Sequence, residues 1–153
     1  MIDIAHIHPM LVHFPLALLP VAICAQLIAA FKGQGLFEHS CPSTTGVALI
    51  VLAAAGAIVA AVFGDIALDQ AIAAGVPADS LETHETLGQL SAVLLSALAL
   101  SELWLYRKAS HNVNVNRSIW ILELAVLAIL LSTAWFGGQL VYDLGVNVTL
   151  PAS

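Results

Sequence analysis

The chain has 153 residues, 60% of them hydrophobic and only 9% charged, with a formal net charge of -6. Soluble domains average roughly 25% charged residues, so an ordinary water-covered domain is excluded, and a mean hydropathy of +0.96 points to lipid. The acidic balance excludes nucleic acid as a partner, and the length fits one domain over residues 1–153.

A membrane helix needs about 20 apolar residues, and four runs meet that requirement. The sequence predicts an all-α, integral membrane four-helix bundle with spans at about 9–31, 45–72, 80–106 and 118–142. The opening MIDIAHIH lacks a basic stretch and is not expected to be a cleaved signal. His6 there reads as an interfacial polar residue. Pro9 suits the first turn of the first span and biases His8 away from helical geometry. Pro15 removes an amide and clashes with the carbonyl of Leu11, so a bend beside His13 is expected. Cys24 falls inside this span and Cys41 in the following loop, which argues against a disulfide between them.

Ser43 or Thr44 is expected to cap the second span. Within it Gly56, Ala60 and Gly64 recur every four residues, a small-xxx-small pattern that lets helix backbones approach. Asp65 ends an uncharged run that begins at Gly46. The third span opens on DSLE at Asp79 to Glu82, which resembles a capping box, and His84, Gly88 and Ser91 share one of its faces. HNVNVNR, from His111 to Arg117, reads as the connection to the fourth span, whose far part carries Gly137 and Gly138.

Lys32, Arg107, Lys108 and Arg117 all lie beside the two connections on one side. The positive-inside rule makes that side cytoplasmic, so both termini are expected outside, in the periplasm of a bacterium whose inner membrane holds this multi-pass chain. Asp3, Asp65, Asp69, Asp79, Glu82, Glu85 and Asp143 gather on the outer side with His6, His8, His13 and His84; His39 and His111 fall inside. Glu102 and Glu123 are the remaining charges within spans. They are expected to snorkel or to pair with Arg107 or Arg117, or else to lie on a proton route to a quinone.

Counting inward from the outer edge brings His13, Asp65, His84 and the Gly137–Gly138 pair to similar depth. Ionisable groups inside a membrane are costly and mark function by default. HPMLVHFPLALLP, FGD at Phe63 to Asp65, HETLG at His84 to Gly88 and GGQLVYDLGVNV at Gly137 to Val148 together resemble a bacterial four-helix membrane family of unknown function. Its signature is HPxLVHFP followed by a late GGxLVYxxGVxV. The resemblance carries the signature onto His8, Pro9, His13, Pro15, Asp65, His84, Gly137 and Gly138. It implies redox company, because related domains occur beside or fused to Rieske-type or cytochrome domains. Where many relatives read GGxLVYxHGV, this chain has Asp143, Leu144 and Gly145, so a histidine is missing.

Three readings follow. In the first, His13 and His84 are the axial ligands of one haem b between the first and third helices, with His8 and Asp65 around it and room left by Gly88, Gly137 and Gly138. Such a protein would relay electrons at the periplasmic face to a quinone or to a periplasmic or membrane redox protein. In the second, His8, His13, His84 and Asp65 bind zinc or copper, with His13 and His84 as the metal ligands. In the third, the chain is a cofactor-free structural or assembly subunit, in a homo- or hetero-oligomer. No nucleophile–base set is present, so no catalytic residue is assigned.

Overall fold

A computed structural model describes residues 7–110, 112–146 and 148. Asp3, His6 and His111 lie outside the described residues, and so do the expectations that rest on them.

The described residues form helices α1 (Ile7–Leu11), α2 (His13–Phe31), α3 (Cys41–Ala73), α4 (Ala78–Arg107) and α5 (Val113–Tyr142), with no strand among them. α1 runs into α2 through a single turn residue, Val12, which still donates its N–H to the His8 carbonyl at 3.1 Å. The interruption lies one turn before Pro15, whose missing amide leaves the Leu11 carbonyl without its helical partner. His8 is helical, contrary to the expectation from Pro9. A proline in a first turn sacrifices only an amide that has no helical acceptor.

Three helix starts differ from the sequence reading, each for a local reason. α3 begins at Cys41 because Pro42 fits a first turn and Ser40 caps it, accepting from the Ser43 amide; Ser43 itself donates to the Leu36 carbonyl. α4 begins after Pro77 with no side-chain cap, and Ser80 bonds the Pro77 carbonyl instead of forming the expected box. α5 starts inside the expected connection, because Asn112 Oδ1 accepts from the amides of Asn114 and Val115 at 2.9 and 3.3 Å. Asn112→Ala is therefore expected to cost about 1 kcal/mol, measured by thermal unfolding in detergent. Ser40→Ala, whose capping bond is 3.4 Å long, should cost less.

Counting α1 with α2, four stretches of 25, 33, 30 and 30 residues are long and apolar enough to cross a membrane. Helices adjacent in sequence pack on one another and α2 closes onto α5, while α2 and α4 make no backbone approach. α2 and α4 thus face each other along one diagonal of the bundle, and α3 and α5 along the other. Leu19 and Ala22, Ile50 and Ala53, Leu95 and Leu98, and Val126 and Leu130 form a continuous core. Phe14, Val21, Leu52, Val93, Leu100 and Leu131 are exposed on the outside, as lipid-facing residues of such a bundle are. Cys24 and Cys41 are both free.

The basic residues cluster around the α2–α3 and α4–α5 connections, here called the basic end. His8 and His84 sit at the other, the histidine end. His39 closes the basic end as an interfacial residue, its Nε2 2.7 Å from the Tyr106 carbonyl and its ring on the Tyr106 ring.

Candidate functional site

The histidine end is built on the small residues of α3 and α5. A Cβ at Gly56 would stand 3.2 Å from Phe14 Cβ and 3.5 Å from Pro15 Cδ, so α2 lies directly on α3 there. One turn further along α3, His8 Nδ1 is 2.8 Å from the Ala60 carbonyl. Another turn on, the His8 ring covers Gly64, whose added Cβ would meet Cε1 at 3.0 Å. The small-xxx-small stripe is therefore the seat of the first helix, and each of its three members has a separate contact.

The same construction recurs between α4 and α5. His84 Nδ1 is 3.0 Å from the Thr133 carbonyl, and its ring covers Gly137, where a Cβ would approach Cε1 to 2.7 Å. In both pairs the glycine lies four residues after the carbonyl that binds the histidine. Ser91 Oγ is 3.0 Å from Thr133 Oγ1, and Gly88 faces the Thr133 methyl. His84, Gly88 and Ser91 thus converge on Thr133, as their shared face implies.

These two mountings bring His8 of α1 and His84 of α4 together across the bundle. Their ring centroids are 6.1 Å apart and their planes nearly perpendicular, at 80°. A carbonyl only accepts, so each Nδ1 must carry a proton, and Nε2 is the ring nitrogen left for another partner. Metal-ligating histidines are held this way, with one nitrogen fixed by a carbonyl and the other left for the metal. A cleft of about 390 Å³ opens beside His84, walled by Phe136, Leu140 and Leu144 and edged by Asp79 and Asp143.

The other predicted members stand apart from the pair. His13 is exposed and its Nδ1 is 2.6 Å from the Pro9 carbonyl, and the histidine whose ring lies beside His84 is His8. Asp65, one residue past Gly64, is exposed. Nothing lies within 4 Å of a Cβ placed on Gly138, so of the two glycines only Gly137 is shaped by its neighbour. Among the described residues no three His, Cys, Asp or Glu side chains gather as a metal-binding group.

Glu102 and Glu123 neither snorkel nor reach Arg107 or Arg117. Both are fully buried together with Gln26, whose Nε2 donates to Glu102 Oε2 at 2.9 Å. This second polar layer spans the α2–α4 diagonal toward the basic end. It has a sequence signal: His8 to Gln26 and His84 to Glu102 are both intervals of 18 residues, the length of five turns of an unbroken helix.

The sequence profile of the predicted membrane proteins called DUF2231 matches residues 5–150. The chain belongs to that family. The match agrees with the resemblance drawn from the sequence, to a membrane family of unknown function, and with four helices fit to cross a bilayer. Lipid is therefore the surroundings of this DUF2231 chain. No curated protein and no solved structure matches it.

Proposed function

We propose that this DUF2231 chain is a membrane electron-transfer protein that holds one haem b between His8 and His84. The facing imidazoles carry the reading. The ring centroids are 6.1 Å apart, a separation that would admit one iron between the two rings at metal–nitrogen distances of about 2 Å. Haem iron asks the protein only for axial ligands, whereas zinc sites take three or four protein donors. A pair of histidines on opposite helices is therefore a haem-type donor set more than a zinc-type one.

A haem bound there would supply a one-electron couple. The chain's own residues would supply the rest: Ala60 and Thr133 fix the ring tautomers, and Gly64 and Gly137 leave room for the rings against α3 and α5. No lysine or arginine lies at this end, so the cofactor's carboxylates would have to be solvated by water rather than paired with a cation. With the basic end cytoplasmic, the site faces the periplasm of a bacterial inner membrane. Electrons would pass between a donor there and a quinone or a membrane redox protein.

An absorption spectrum of the purified protein tests this. The expected result is a Soret band when oxidised and a sharp α band after dithionite. A colourless preparation overturns it. Zinc or copper in that sample would make the pair a metal site, and a metal-free sample would make the histidines interhelical pins.

A further inference from the structure

The Gln26, Glu102 and Glu123 layer lies far from the histidine pair. From His84 to Glu102 α4 rises about 27 Å, so the layer belongs to a different depth of the membrane. α2 contributes Gln26, α4 Glu102 and α5 Glu123, and the carboxyls of Glu102 and Glu123 are neighbours. α3 contributes Gly46, where a Cβ would come within 2.5 Å of Gln26 Cγ, and has no charged residue before Asp65 near its other end. Lys32, Arg107, Lys108 and Arg117 make no contact with the cluster, and His39 is held on the Tyr106 carbonyl.

The hydrogen-bond inventory of this layer is one-sided. Gln26 Oε1, Glu102 Oε1 and both carboxylate oxygens of Glu123 are buried without a partner. All four are acceptors when the glutamates are ionised, and the one donor present, Gln26 Nε2, is engaged by Glu102 Oε2. Buried acceptors without donors are strongly disfavoured in apolar surroundings, and two adjacent buried carboxylates repel as well. The missing component is a set of donors or a cation. A calcium ion takes about six to eight oxygens and magnesium keeps several waters, but this layer presents only one acceptor oxygen from Gln26 and two from each glutamate, sealed from solvent.

We propose that Gln26, Glu102 and Glu123 form a proton-binding site within the membrane span, with both carboxyls protonated in the resting protein. Two protons convert two acceptors into O–H donors and cancel both charges. One O–H bridges the glutamates and the other is donated within the same cluster. Releasing a proton leaves a single carboxylate stabilised by the Gln26 amide and the remaining O–H, so the site can exchange one proton without unpairing every group. Its ligand is the proton alone, and it does not depend on what the histidine pair holds.

Infrared spectroscopy of the full chain in detergent, at neutral pH, tests this. The expected wild-type spectrum contains a protonated-carboxyl C=O band that moves in D2O. Glu102→Gln and Glu123→Gln should each remove part of it and the double variant all of it, while Glu82→Gln, at an exposed site, leaves it unchanged. Carbon-13 labelling of glutamate in the wild type assigns the band without any variant, and separates it from aspartate or cofactor carboxyls. Absence of a glutamic acid band overturns the proposal. So does a band that survives the double substitution, or a stoichiometric metal ion that Glu102→Gln loses.

Discussion

Replacing either His8 or His84 by alanine is expected to bleach the protein, while His13→Ala leaves its spectrum intact. Loss of a partner that merely orients a metal ligand already lowers affinity roughly 10–100-fold, so under the proposed haem reading loss of either imidazole should lower haem affinity by at least about 100-fold. His8→Ala leaves the Ala60 carbonyl its helical amide, and His84→Ala leaves that of Thr133 in the same position, so neither creates an orphaned backbone group. Circular dichroism should therefore show the helices retained while the Soret band falls. Free imidazole added to either variant should restore part of the band by occupying the vacated space. His39→Ala, at the basic end, is the control that removes a histidine with no effect on colour. The assignment fails if both alanine variants keep their bands, or if His13→Ala loses them.

The choice between His8 and His13 shows how far the sequence carries. Counting residues gives depth along a helix but says nothing about azimuth until a second residue on the buried face is known. His8 and His13 are five positions apart, about 140° around an α-helix, so only one of them can face the core. Gln26, fully buried and 18 residues on, is in register with His8 for an unbroken helix, and across the break at Val12 it is still His8 that packs on α3. An amide in an apolar run is less conspicuous than a histidine, and its weight was legible only beside Glu102 at the matching interval in α4. The four spans were legible because their apolar runs exceed the membrane thickness. Their starts were less so, since the cap positions fall to Ser40, Pro77 and Asn112, while Ser43 or Thr44, Asp79 and a longer connection to the fourth span satisfy the same local patterns. Glu102 and Glu123 were visible as charges, yet their distance in sequence from Arg107 and Arg117 favoured ion pairs that the helix faces do not permit.

Gly137→Ala is expected to destabilise the bundle where Gly138→Ala, at the next position, stabilises it. Both glycines lie in α5, and on helix propensity alone each alanine gains about 1 kcal/mol. At Gly138 the new methyl meets nothing within 4 Å and that gain stands. At Gly137 it would lie 2.7 Å from His84 Cε1 and 3.1 Å from Nδ1, in a ring held by the Thr133 carbonyl. The ring must then move, losing a hydrogen bond of about 1 kcal/mol and overpacking the interface by about 1–3 kcal/mol. The two variants should differ by about 2–4 kcal/mol in thermal or denaturant unfolding in detergent. Gly64→Ala, with the corresponding approach to His8 at 3.0 Å, should fall between them. Equal stabilities for Gly137→Ala and Gly138→Ala would mean that His84 does not rest on α5. If the histidines also hold haem, Gly137→Ala should lose colour along with stability, because the displaced ring no longer faces His8. If they only pin helices, the same order of stabilities should appear in a protein that was never coloured.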